Sequence, residues 1–284
     1  LPNYASAGST STLANPVTII SPAFLGVFSS SSTARWAALP PSPSSSTSEG
    51  YLLDASSTNF NGTGTILSSS TSNGSLTTLS VSGLLANTTY FLRVGSLNSN
   101  SAVNFAAAIA TSTLADFVVA PAVQNVFLSS AALSWSIPSG GAEGYELRAS
   151  STNFDGTGSI PSSSTSNGSL TTLTVSGLSV NTTYSFRVGS LNWNNILNFT
   201  AGGSSSTLAN VPVSPVFGNV SVSSVAVSWG VPTGGAEGYR LHASTASDFN
   251  GTILSSSTSD GNATSLTVIS LQSDTTYYLR VGSL

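Results

Sequence analysis

In LTTLTVSGLSVNTTYSFRV (residues 170–188), Leu173 and Val175 alternate with hydroxyl side chains. Gly177 and Asn181 punctuate a turn, and Tyr184, Phe186 and Val188 then alternate again. An apolar period of two is that of a strand with one buried face, and Gly/Asn clusters between such runs supply turns. The same stretch recurs as LTTLSVSGLLANTTYFLRV at 76–94 and, shortened, as SLTVISLQSDTTYYLRV at 265–281. Upstream of the copies, Tyr51, Tyr145 and Tyr239 are each 94 residues apart, and Arg93, Arg187 and Arg280 are spaced by 94 and 93. A period near 94 is too long for a solenoid repeat and has the size of a β-sandwich.

The rest of each repeat reads the same way. Runs such as AALSW and YELRA alternate, PSGGAEG, NFDGTG and SSSTSNGS are turn clusters, and no segment carries a sustained helical period with caps. Each repeat places one Trp on its second strand (Trp36, Trp135, Trp229) and a Tyr on its third. Each also has a Leu six residues before a Tyr: Leu84 and Tyr90, Leu178 and Tyr184, Leu271 and Tyr277. An indole filling the space between two sheets, and a later Tyr whose hydroxyl ties a chain corner to backbone, would serve such a sandwich. With GL-x-x-N-T-T-Y-x-x-R-V, the pattern resembles fibronectin type III domains, in particular those found in tandem on bacterial surface and secreted proteins. The resemblance implies an all-β chain of three tandem immunoglobulin-like β-sandwiches. It implies little about function, because such modules serve as spacers, adhesive units and assembly units.

Composition narrows the classes. Charged residues are 6% of the 284, the formal net charge is −4, there is no Cys or Met, and all six basic residues are Arg. A hydrophobic fraction of 39% argues against disorder. Without a basic run there is no electrostatic footprint for nucleic acid or anionic lipid, and no apolar stretch is long enough to span a bilayer. The missing initiator Met and signal peptide predict a processed chain or a piece of a longer one. The Ser/Thr/Asn-rich, cysteine-free surface leans toward an extracellular or cell-surface location.

No constellation for catalysis emerges, so the chain is expected not to be an enzyme and to need no cofactor or metal. His242 has Asp54 and Arg148 as its counterparts, has no Cys partner and no G-x-S-x-G elbow, and is expected to be a solvated strand residue. Glu49, Glu143 and Glu237 recur singly, whereas glycosidase chemistry needs two facing acids. NFNGTG, NFDGTG and DFNGT lack the bidentate Glu of a calcium loop, and tight turns with Gly62, Gly156 and Gly251 at positive φ explain them. Nine Asn-x-Ser/Thr sequons (Asn61, Asn73, Asn87, Asn167, Asn181, Asn198, Asn219, Asn250, Asn262) are glycan acceptors or a by-product of turn-rich composition. Trp193, in the turn SLNWNNIL, is an exposed contact for a sugar or packs between modules, the latter preferred. The first repeat's long loop AALPPSPSSSTSEG is expected to protrude as a tolerated insertion rather than a contact.

The two ends show complementary defects. Residues 16–116 and 117–210 each hold a full module, while 211–284 stops at RVGSL without a seventh strand. Residues 1–15, LPNYASAGSTSTLAN, match the closing stretch ILNFTAGGSSSTLAN at 196–210 and have no module before them. Leu1, Tyr4, Ala5, Ala7 and Leu13 are therefore expected to form a strand that pairs with Tyr277, Tyr278, Leu279, Val281 and Leu284 of another copy. The expected partner is the chain itself, head to tail in a filament. In the internal copy only four residues separate the positions of Leu284 and Leu1, so one long covalent array is an equal alternative. An adhesin or glycan-binding array, and spacers of a secreted enzyme, are the remaining alternatives.

Overall fold

The computed structural model describes residues 1–40 and 47–284, and those residues contain strands and no helix. In chain order the strands are β1 (Ile19–Val27), β2 (Ser31–Trp36), β3 (Gly50–Ser56), β4 (Ile66–Thr71), β5 (Thr78–Ser82), β6 (Thr89–Leu97), β7 (Val103–Phe105) and β8 (Ile109–Ser112). There follow β9 (Val119–Val126), β10 (Ser130–Ser136), β11 (Gly144–Ser150), β12 (Ser162–Thr165), β13 (Thr172–Ser176), β14 (Thr183–Leu191) and β15 (Leu197–Ser206). The last are β16 (Val213–Val220), β17 (Ser224–Gly230), β18 (Tyr239–Ser244), β19 (Ile253–Thr258), β20 (Ser265–Ile269) and β21 (Tyr278–Ser283).

These strands pair antiparallel into two sheets per repeat. The middle repeat has β13-β10-β9 facing β12-β11-β14-β15; the first has β1-β2-β5 facing β4-β3-β6, with β7 and β8 both on the far edge of β6. The third has β16-β17-β20 facing β19-β18-β21 and no strand beyond β21 among the described residues. Alternation in the sequence becomes alternation of burial: in β10 the pattern puts Ala131, Leu133 and Trp135 inward. The preserved repeat therefore has three separate buried clusters, one per sheet pair.

The Trp–Tyr pair joins the two sheets. Ring centroids lie 4.9 Å apart for Trp36 and Tyr51, 5.1 Å for Trp135 and Tyr145, and 5.0 Å for Trp229 and Tyr239, all tilted. The Tyr hydroxyl then donates to a turn carbonyl: Tyr51 to Gly74 (3.0 Å), Tyr145 to Gly168 (3.0 Å), Tyr239 to Gly261 (3.1 Å). That turn must be glycine, since a Cβ at Gly168 would sit 1.8 Å from the Ala142 carbonyl oxygen. The later tyrosines form the corner expected of them, accepting backbone N–H bonds from Leu85, Ser179 and Gln272 at 3.0–3.1 Å. Residues 41–46 of the first repeat's long loop lie outside the described residues, and with them the expectation that the loop protrudes.

Two substitutions test this internal scaffold. Tyr145→Phe should cost about 1 kcal/mol, the worth of one part-buried hydrogen bond. Gly168→Ala should cost more, because the overlap is with backbone. Native-state amide exchange of β11 and β14 measures both.

Candidate functional site

The described residues offer no cluster of three or more His, Cys, Asp or Glu able to hold a metal, and no helix long and apolar enough to cross a membrane. Where the third repeat differs from the middle one is at a sheet edge. In the middle repeat β14 is paired on both sides, with β11 and with β15, and Tyr184, Phe186 and Val188 are buried. In the third repeat β21 pairs with β18 alone, and Tyr277, Leu279 and Val281 are only half-buried against the core. Tyr278 and Leu284 are exposed. The facing strand β16 is exposed at every position, and Phe217 stands 70% exposed. Between the sheets runs a groove of about 600 Å³ lined by Phe217, Val220, Val225, Leu271, Tyr277 and Leu279, among others.

The opening stretch, expected to be a strand, forms none in the single chain. Leu1, Tyr4, Ala5, Ala7 and Leu13 are exposed, Tyr4 at 87%. Its second half is ordered in a way the sequence did not reveal. Asn98 Nδ2 donates to the Ser11 and Thr12 carbonyls (3.3 and 2.8 Å), Asn100 Nδ2 to Thr10 Oγ1 (3.0 Å), Asn104 Nδ2 to the Ala14 carbonyl (2.8 Å) and Ser96 Oγ to the Asn15 carbonyl (2.6 Å).

The same set joins the first and middle repeats. Asn192 Nδ2 donates to Ser112 and Thr113 carbonyls (3.1 and 3.0 Å), Asn194 Nδ2 to Thr111 Oγ1 (3.2 Å), Asn198 Nδ2 to the Ala115 carbonyl (2.8 Å) and Ser190 Oγ to the Asp116 carbonyl (2.6 Å). Asn192 also accepts from the Asn194 and Ile196 amides through Oδ1, so this 1% exposed amide is saturated. At the third repeat Ser283 Oγ repeats the bond with the Asn210 carbonyl. A second joint contact comes from the corner loops: Asn87 Nδ2 donates to Glu143 Oε1 (3.1 Å) and Asn181 Nδ2 to the Gly234 carbonyl (3.5 Å). Residues 10–15 thus sit on the first repeat as the end of a closing strand sits on the module after it. The signal was present in the sequence as the recurring SLN and N-F of the repeat.

Other candidates resolve into structural roles. Glu143 serves a joint and Glu49 accepts from Ser99 Oγ (3.4 Å). His242, expected in solvent, faces its cross-strand partner Arg280, whose Nε donates to Nδ1 at 3.4 Å. Of its counterparts, Asp54 likewise pairs with its cross-strand Arg93 at 3.1 Å, whereas Arg148 lies opposite the like-charged Arg187 and pairs instead with Glu146 on its own strand. Partial burial and the neighbouring Arg280 and Arg240 hold the His242 imidazole below its ordinary pKa. In the NFNGTG-type loops, Asn61 and Asp155 accept from Thr63 and Thr157 in Asx turns. Gly62 and Gly156 do have positive φ (87° and 92°), but Gly251 does not. The third loop is shorter, and Gly251 is needed there for room, a Cβ lying 2.6 Å from Thr245 Oγ1. Of the sequons, Asn87, Asn181 and Asn198 spend Nδ2 on the joints. Trp193, flanked by the joint residues Asn192 and Asn194, is 61% exposed rather than buried between modules.

Set beside known proteins, the fibronectin type III domain family model matches residues 120–198, the body of the middle repeat. Similar solved structures include the FN1–FN3 domains of chicken CNTN1, with 14% identity, a TM-score of 0.33 and coverage of 96% of this chain and 94% of that one. A two-domain fibronectin type III segment of chicken tenascin has 16% identity, a TM-score of 0.39 and coverage of 65% and 96%. No curated protein matches the chain.

Asn192→Leu should orphan two buried carbonyls and two amides, cost about 2–3 kcal/mol, and loosen the first joint. Small-angle scattering should then give a broader spread of chain lengths than for the native protein. The His242 shift carries a sign: a pKa lower in the folded state means that the unfolded chain binds the proton better, so stability falls as pH drops through about 6.5. Chemical denaturation at pH 7 and pH 5 should show a loss for the native chain that His242→Gln reduces.

Proposed function

Starting from a chain of tandem fibronectin type III-like modules, we propose that it is an extracellular structural protein whose modules extend head to tail into a fibre. The joint is the one described above: a closing strand completes one module, and its C-terminal end docks on the next. The observation that carries this reading is that one chain has both a β21 edge with no second partner among the described residues and an exposed stretch, residues 1–9. That stretch leads into residues 10–15, which already make the joint contacts on the first module. Strand addition to an open sheet edge satisfies backbone groups and buries the flank in one step. A contact between two different surfaces propagates rather than closing as a dimer. The strand reaches the slot from a second copy, or as the continuation of one long polypeptide. No part of this role needs chemistry, and we place the chain outside the enzymes.

The exposed Trp193 favours a second reading, an adhesive array in which an aromatic face beside a joint stacks on a sugar. Glycan binding lost in Trp193→Ala would support it.

Sedimentation of the 28.5 kDa chain tests the first reading. The mass should grow with concentration without reaching a fixed oligomer, and removal of residues 1–9 should leave single chains. A chain that stays single at every concentration would contradict assembly between copies. Denatured native material then separates the two routes: a band near 28.5 kDa means separate copies, and a very large species means one polypeptide.

A further inference from the structure

We propose, building on the head-to-tail reading, that the slot of the third module is keyed residue by residue to Tyr4 and Ala7 of a second copy. The key has an outer half and an inner half, and both are visible in how the complete modules fill the same places.

On the outer face, each complete module holds an Arg of its sixth strand between two rings. Arg93 lies 4.0 Å from the Phe60 centroid and 3.8 Å from Phe105; Arg187 lies 4.1 Å from Phe154 and 4.3 Å from Phe199. The second ring, on the closing strand, also covers a glycine two residues on. A Cβ at Gly95 would be 2.1 Å from Val103 Cγ1 and 2.9 Å from the Phe105 ring, and one at Gly189 would be 2.8 Å from both Leu197 and the Phe199 ring. In the third module Arg280 has Phe249 at 4.1 Å on one side, and Gly282 has open space within 4 Å. Aligned on the closing stretch of the middle module, Tyr4 takes the place of Phe199. Its ring would cover Gly282 and sandwich Arg280.

On the inner face the volumes trade. In the middle module the closing strand passes over Leu133 with Gly202, where a Cβ would come within 2.7 Å of Leu133 Cδ2. The third module has the shorter Val227 at that place, lining the slot beside Val216 and Leu279. The N-terminal stretch has the larger Ala7 in place of Gly202. A side chain that shrinks on one partner and grows on the other is the signature of a fitted core. The next residue supports the register: Gly8 has φ +86° in the unpaired stretch, and Gly203 has φ +85° in β15, where the ladder with β14 is irregular. The free strand already carries the backbone turn that its paired homologue uses.

Sedimentation equilibrium of the full chain reads the key out. Gly282→Val enters open space, so its melting temperature should match the native chain, while the Tyr4 ring is displaced and association weakens at least tenfold. Val227→Leu should weaken association about tenfold through overpacking against Ala7. Adding Ala7→Gly to the same chain should restore most of that loss. Tyr4→Phe should associate as the native chain does, and Tyr4→Ala should not. If native chains associate but Gly282→Val and Val227→Leu leave association unchanged, the key is wrong and head-to-tail assembly stands. If native chains never associate, both fall.

Discussion

A strand in the middle of a sheet needs a partner on each side, and the sixth strand of these modules is where that requirement is decided. In the middle module β14 has β11 and β15, and its inward Tyr184, Phe186 and Val188 are shut away from water. In the third module β21 has only β18, and the equivalent Tyr277, Leu279 and Val281 are half-open. Full burial of such a side chain is worth about 1.5–3 kcal/mol, so closing the flank recovers several kilocalories besides the ladder of backbone hydrogen bonds. The recurring Trp–Tyr pair joins the two sheets in all three modules, with or without a seventh strand. The closing strand decides whether the sandwich is finished.

That strand does two jobs. Its first half completes the sandwich it belongs to, and its last residues present carbonyls to the asparagines and serine of the next module. The amide of Asn192 is suited to this because it offers two donors outward and accepts two amides of its own turn, leaving nothing buried and unpaired. Joint and fold therefore share one continuous stretch of backbone. An uncharged, hydroxyl- and amide-rich surface allows this, since every cross-module contact described is neutral or a single charge-assisted bond such as Asn87 to Glu143.

How much of this was legible in the sequence depends on range. Features set by local pattern were readable: alternation gave the strands, one Trp on each second strand gave the indole between the sheets, and Leu178 six before Tyr184 gave the corner. Features set by contacts between segments were not. Asn98 and Asn192 look like any turn asparagine until the preceding module is placed against them. The contact of His242 with Arg280, which lies 38 residues away across a sheet, was not readable either. Gly251 was assigned a positive φ by analogy with Gly62 and Gly156, but the third loop is shorter and asks for space instead.

The central claim is that β21 is an unfinished edge completed by a strand of the kind found at residues 1–9. Amide hydrogen exchange along β21, compared with β14 in the same sample at high chain concentration, addresses it directly. The account expects β21 to become as slow to exchange as β14 as concentration rises. Exchange at β21 that stays fast and independent of concentration, while β14 remains protected, would contradict completion by a second copy.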